Sequence, residues 1–361
     1  MARFDSFLKM VVDQKASDLH FHSGQVPIIR YNSDLVPLPF RVISETEGRR
    51  FIMEMLTEAQ KLELEKTQNI DFIYTMADGA RFRSNVFYQR NGLSAVFRII
   101  PGELPTLDEL MMPPSLRKLT TVGNGLVLLT GPTGCGKTTT LAAIIHEINL
   151  NQRRHIITVE DPIEFLHQPI RSMVTQRQVG KHTESFAAAL RSALREAPDV
   201  LVVGELRDQE TIALALSAAE TGILVFGTLH TNTAAKAVNR IIDAVPDESR
   251  EQARGVLSVL LRGVVSQRLC KRANGDGRVA MLEVLLQTWA ISNMIRENKT
   301  HQMESYLQSV NPAATGMQSL EMALATGVRE GLLTMTEALK ATEDETMLKS
   351  LLKDLEMEGA V

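Results

Sequence analysis

Polar and apolar residues follow one another along this chain in two rhythms, and the change between them falls near residue 100. Phe4, Phe7, Leu8, Val11 and Val12 recur at helical spacing and predict a short opening helix, after which 17–22 alternates as a strand does. The stretch 26–38, with Pro27 and Pro37, predicts a hairpin. A helix over 45–66 begins at the capping pattern Ser44-x-x-Glu47. Strands over 70–75 and 81–89 are joined through Asp78-Gly79, a favoured turn pair, and a further strand covers 93–100. A small sheet covered by helices accounts for residues 1–100 as one domain.

Pro101-Gly102, Pro105, Pro113 and Pro114 mark a linker over 101–114. Beyond it the strands stop alternating. The runs 126–130, 155–160, 200–204 and 224–228 are mostly apolar, as buried strands are, and helical stretches at 141–148, 186–195 and 211–219 separate them. That order predicts a parallel α/β sheet with helices on its faces, within a second domain over 115–361. From about Glu248 the pattern predicts mainly helix, ending in an amphipathic stretch with Met347, Leu348, Leu351, Leu352 and Leu355 on one side.

Composition narrows the function. Hydrophobic residues at 44% and charged residues at 23% exclude the disordered and fibrous classes. A net charge of −4 gives no support to dedicated nucleic-acid binding. Cys135 and Cys270 are the only cysteines, too few for a disulfide framework or a four-thiolate zinc site, and a reducing, cytoplasmic compartment suits them. Residues 1–14 have no signal-peptide core, and no apolar run approaches the length of a membrane span. Any membrane role is therefore expected through a partner.

The chemistry is written most plainly at Gly131, Pro132, Thr133, Gly134, Cys135, Gly136, Lys137 and Thr138, which match the phosphate-binding pattern G-x-x-x-x-G-K-[ST] in full, with Thr139 next in the helix that follows. Glycines let the backbone turn its N–H groups toward phosphate oxygens, and the helix N-terminus adds positive potential. Lys137 is expected to reach the β and γ phosphates of ATP and the Thr138 hydroxyl to ligate Mg²⁺. The acids such a loop needs are expected at neighbouring strand ends. Glu205 closes the run Val200-Leu201-Val202-Val203-Gly204, with glycine where an aspartate is usual, and is expected on the Mg²⁺ side. Glu160, Asp161 and Glu164 form an acidic turn suited to positioning water, and His230 follows the fourth strand, where it could sense the γ-phosphate.

Taken in order, these segments resemble the secretion-superfamily ATPases, and most closely the PilT-like type IV pilus retraction ATPases. The resemblance covers nearly the whole chain: Ala16-Ser17-Asp18-Leu19-His20, Arg81-Phe82-Arg83-x-Asn85-Val86-Phe87, Leu93-Ser94-Ala95-Val96-Phe97-Arg98, the phosphate loop, Glu160-Asp161-Pro162-Ile163-Glu164, Gly204-Glu205 and the segment around His230. It implies a PAS-like N-terminal domain, a RecA-like P-loop ATPase domain and a homo-hexamer driven by MgATP hydrolysis. It also implies an inner-membrane pilus platform protein as partner, with a paralogous retraction ATPase as a further one. Carried over residue by residue, it makes Glu164 the catalytic acid, with Glu205 and His230 in their family positions. Arg81, Arg83 and Arg98 become candidates to reach a nucleotide.

Ala290-Ile291-Ser292-Asn293-Met294-Ile295-Arg296-Glu297 resembles the retraction motif AIRNLIRE and points to retraction rather than assembly. The chain departs from the family at Ser292, Ile223 and Ala197, which leaves open a main motor or a PilU-like accessory paralogue. Two other readings remain: an assembly ATPase of pili or type II secretion, and a nucleotide-dependent binding module using the basic residues Arg171, Arg177, Lys181, Arg191 and Arg195.

Overall fold

A computed structural model of the chain describes residues 4–31, 34–100 and 102–358, with side chains through residue 353. Pro101 of the expected linker, residues 32–33 of the expected hairpin and the Leu355 side chain lie outside the described residues. The chain divides into two compact units, Met1–Glu103 and Leu104–Val361.

The first unit is built on six antiparallel strands: β1 (Asp18–His22), β2 (Ile28–Tyr31), β3 (Asp34–Pro37), β4 (Asn69–Thr75), β5 (Arg81–Gln89) and β6 (Gly92–Ile100). Their order across the sheet is β3-β2-β1-β6-β5-β4. Leu19 and Phe21, Phe82 and Val86, and Leu93, Ala95 and Phe97 stand at alternate positions and enter a single core with Phe4, Phe7, Leu8 and Val11 of the first helix. Phe4 meets the Phe21 ring edge-on at 4.8 Å. The expected helix over 45–66 is two helices, Glu45–Met53 and Glu58–Thr67. The break has a local cause: Thr57 and Gln60 form a second capping box behind the one at Ser44 and Glu47.

The second unit holds β7 (Gly125–Thr130), β8 (His155–Glu160), β9 (Met173–Gln178), β10 (Val200–Val203), β11 (Leu224–Thr228), β12 (Leu261–Lys271) and β13 (Arg278–Leu286), in the order β13-β12-β7-β11-β10-β8-β9. All neighbours are parallel except β12 and β13. Leu126 and Leu128 enter one core, Val127 and Leu129 another; Leu201 and Val203 separate from Val200 and Val202 in the same way. Both faces of the sheet are covered, which is why its central strands read as mostly apolar runs.

The expectation of mainly helix beyond Glu248 holds for most of that segment but misses two strands, β12 and β13. The helix Arg250–Leu260 passes into β12 at Leu261 with no glycine, proline or polar turn between them. Only the neighbours decide the change. β12 lies between β7 and β13, and a Cβ at Gly263 would come within 2.9 Å of Leu119 and 3.0 Å of the Leu285 carbonyl. The C-terminal helices follow, with Leu320, Leu324, Leu333, Ala338 and Leu348 packed against Cys270, Val279 and Met281 of the hairpin.

Candidate active site

Parallel strands end at one edge of the sheet, and every candidate residue of the second unit lies on a segment leaving that edge. From β7 the chain enters the loop 131–136 and then the helix Lys137–Asn151. Gly131 has φ 143°, and a Cβ there would stand 2.4 Å from the Gln267 carbonyl oxygen. Gly136, at φ 89°, turns the chain into the helix. The loop is buttressed from β12: the Gln267 side chain donates to the Cys135 carbonyl at 2.6 Å and accepts from Thr140 Oγ1 at 2.8 Å.

Lys137 is the first residue of that helix and is buried. Its Nζ donates to the carbonyls of Gly131 (2.7 Å) and Pro132 (3.1 Å) and stands 3.5 Å from His230 Nδ1. Burial holds its ammonium below the usual lysine range, with the charge of Glu205 acting in the opposite sense. On the far side of His230, Nε2 lies 3.2 Å from Glu205 Oε1, and Arg207 Nε lies 2.7 Å from Glu205 Oε2. Burial would raise the Glu205 carboxyl, but Arg207 and His230 outweigh it and keep the group below its ordinary value. Lys137, His230, Glu205 and Arg207 thus form a continuous chain along the ends of β7, β11 and β10.

Main-chain contacts fix these ends. Thr130 donates its hydroxyl to the Thr231 carbonyl, and Thr228 donates to the Gly204 carbonyl. Gly204 stands where an aspartate is usual, and a Cβ there would come within 3.1 Å of the Val159 carbonyl and 3.3 Å of Glu160 Cα. The end of β8 leaves little room for a side chain.

The acidic turn leaves β8 two strands beyond β11. At about 4.8 Å per strand, the ends of β7 and β8 are about 14 Å apart. Glu160 accepts from Thr158 Oγ1 (2.6 Å) and Gln176 Nε2 (3.1 Å), while Asp161 is exposed. Glu164 is half-buried between the buried side chains of Ile163 and Phe165. Thr138 is exposed beside the loop. With Glu205 it offers a hydroxyl and one carboxylate, a donor set suited to Mg²⁺, which keeps waters and takes phosphate oxygens rather than a protein cage. Among the described residues no cluster of three or more acids, histidines or cysteines could hold a metal by itself.

The loop is flanked by a depression on each side. One, of about 230 Å³, is lined by Glu205, Arg207, His230 and Arg240. The other, of about 420 Å³, lies toward β12, between Pro132–Cys135 and the side chains of Arg268, Arg278, Lys340 and Glu343. Gln267 and Arg207 were not legible as site residues. In the sequence Gln267 is one of three consecutive polar residues, between Ser266 and Arg268, and nothing local sets it apart.

Arg81, Arg83 and Arg98 lie on β5 and β6 of the first unit, with Arg83 and Arg98 directly opposite each other. Arg98 Nε donates to the buried Asp18 at 2.8 Å, and Arg30 approaches the same carboxylate at 3.5 Å. Of the basic residues considered for a nucleic-acid patch, Arg177 pairs with Glu196 at 3.1 Å and Arg191 pairs with Glu210.

Comparison with known proteins identifies this arrangement. The family model described as "Type II/IV secretion system protein" matches residues 2–340. The chain belongs to that family. It is 45% identical over 325 residues to the type IV pilus retraction ATPase PilT of Pseudomonas aeruginosa, covering 90% of this chain and 94% of that protein. It is 37% identical to the type IV pilus ATPase PilU of the same organism, over 97% of this chain and 91% of that one. The crystal structure of the pilus retraction motor PilT with bound ADP superposes with a TM-score of 0.87 at 41% identity, covering 97% of this chain and 99% of that chain. The chain therefore has the RecA-like ATPase fold of a secretion ATPase, and the protein is an ATPase. No helix among the described residues is long and apolar enough to cross a membrane.

Proposed function

We propose that this protein is the ATPase motor of type IV pilus retraction, working as a homo-hexamer on the cytoplasmic side of the inner membrane, against a pilus platform protein. The observation that carries this reading is the chain Lys137–His230–Glu205 at the mouth of a complete phosphate loop, in a protein of PilT-like length and sequence. The loop and Lys137 bind the phosphates of ATP. Thr138 and Glu205 hold Mg²⁺, which when bound offsets charge on the transferring phosphoryl. The terminal phosphate points across β11 and β10, toward the turn where Glu164 orients the attacking water. The base and ribose take the opposite direction, into the larger depression beside β12. His230, touching both Lys137 and Glu205, couples phosphate occupancy to the strand ends. Arg81, Arg83 and Arg98 are candidates to complete a nucleotide site, Arg98 only by giving up its pairing with Asp18.

The identity of 45% to PilT against 37% to PilU favours the main motor over the accessory one. Lys137→Ala and Glu164→Gln are each expected to lower ATP turnover by about 10²-fold or more. Normal turnover in purified Glu164→Gln removes that residue from the mechanism. A deletion strain is expected to carry excess surface pili and to lose twitching. Loss of pili instead would assign the protein to assembly.

A further inference from the structure

The segment that carries His230 is held at both ends by side chains. At one end, Thr130 of β7 donates its hydroxyl to the Thr231 carbonyl. At the other, Glu283 of β13 accepts the main-chain N–H of Ala234, the first residue of the helix Ala234–Asp243, at 2.6 Å. Glu283 is only 7% exposed. Any neutral acceptor could satisfy one N–H, and a buried carboxylate is a costly choice for the task. Its charged surroundings do not defray that cost. Glu321 of the helix Leu320–Arg329 and Glu304 of the helix Met303–Ser309 are both acids. Lys236 of the clamped helix and Arg268 of β12 are directed to Glu343, at 3.7 and 2.7 Å. What remains in favour of the anion is the Ser266 hydroxyl opposite it on β12 and the positive end of the helix it touches.

We propose that Glu283 is a positioning residue for hydrolysis: ionised, it draws in the N-terminus of the helix Ala234–Asp243 and so sets where His230 stands beside Lys137 and Glu205, and protonation loosens that hold. The inference rests on the reading of Lys137, His230 and Glu205 as the working site. Burial pushes the Glu283 carboxyl up to about 7, the Ala234 N–H and the Ser266 hydroxyl opposing this and Glu321 and Glu304 adding to it. Exchange between the two forms therefore falls in the neutral range.

The test compares kcat and KM for MgATP in wild type and Glu283→Gln from about pH 6 to about pH 8.5, alongside melting temperatures. The other ionisable groups are common to both proteins, so the difference between the two profiles isolates Glu283. Wild-type kcat is expected to climb about fivefold more than that of the variant, with a midpoint near 7. At the upper pH the variant is expected to be folded at least as stably as wild type, to turn over about fivefold more slowly, and to keep KM within about twofold. The proposal is overturned by a variant that reaches wild-type kcat at the upper pH, by one that reproduces the wild-type climb, or by one that melts below wild type there. A wild-type protein without ATPase activity at any pH would strike the underlying reading instead.

Discussion

Asp18 in the first unit and Glu283 in the second are both buried carboxylates on strands, and their surroundings treat them in opposite ways. Asp18 sits between two arginines from the strands on either side of it, Arg30 on β2 and Arg98 on β6. Burial would raise its pKa, but the Ser17 hydroxyl and Arg98 outweigh burial and hold it below the ordinary value. Glu283 has one main-chain N–H, one hydroxyl, that of Ser266, and two nearby acids but no cation paired to it among the described residues, and burial takes it up to about 7. The first carboxylate is matched to its site and serves the fold. The second is mismatched, and carboxylates shifted upward by burial cluster where chemistry is done.

The largest expected effect follows from Glu283. Its unfolded-state carboxyl loses its proton near 4.5, whereas the folded one keeps it to about 7. The folded state therefore loses stability across that window and has lost it in full above it, by about 3 kcal/mol at 1.36 kcal/mol per unit. Glu283→Gln removes the penalty. The stability gap between variant and wild type should be absent near pH 4.5, open as the pH rises through 7 and then stay constant. Denaturant unfolding of both proteins across the range measures that gap, and other titrating groups cancel in the difference. A gap that closes with rising pH contradicts the contrast with Asp18.

For Asp18 the sign reverses. A carboxyl held below its unfolded value of 3.8 contributes stability above that value and loses it as the pH falls through the folded pKa. Asp18→Ala leaves Arg30 and Arg98 without their shared partner. Breaking a buried pair costs 3–5 kcal/mol, but the Arg98 side chain is 65% exposed and rehydrates, so about 2 kcal/mol is expected. Amide exchange in β1 and β6 reads the loss locally, and the difference should shrink in acid. Unchanged protection of these strands would show that the pair does not hold the sheet.

How much of this could be read beforehand depended on how far apart the partners lie. The phosphate loop is contiguous and spells out its own geometry through Gly131, Gly136 and Lys137. The four central strands were legible because burial on both faces leaves them mostly apolar, with polar residues chiefly at their ends. The strands β12 and β13 were not, since the switch at Leu261 has no local punctuation and depends on β7. Gln267 reaches Cys135 across 132 residues, Glu283 reaches Ala234 across 49, and Arg98 reaches Asp18 across 80. No spacing rule connects such pairs. The acidic turn shows the remaining gap: its three acids are equal in the sequence, and only the fold sets Glu160 on its neighbours and Glu164 between two buried side chains.

The smallest effect concerns strain without charge, and it separates backbone from electrostatic cost in the same unit. Ala197 is exposed and has φ 49°, in the left-handed region, immediately before Pro198. An L-residue with a Cβ pays about 1–2 kcal/mol there, and the following proline narrows its choices further. Aspartate or asparagine tolerates this conformation better than alanine does, so the alanine carries a backbone cost. Ala197→Gly removes the Cβ at an entropic cost of about 0.5–1 kcal/mol in the unfolded chain. The net gain should be about 0.5 kcal/mol, independent of pH, and without effect on ATP turnover. Unlike the gain from Glu283→Gln, it should appear in full at pH 4.5 as well as above 7. A pH-dependent gain would place Ala197 in the same electrostatic network as the site rather than in a strained turn beside it.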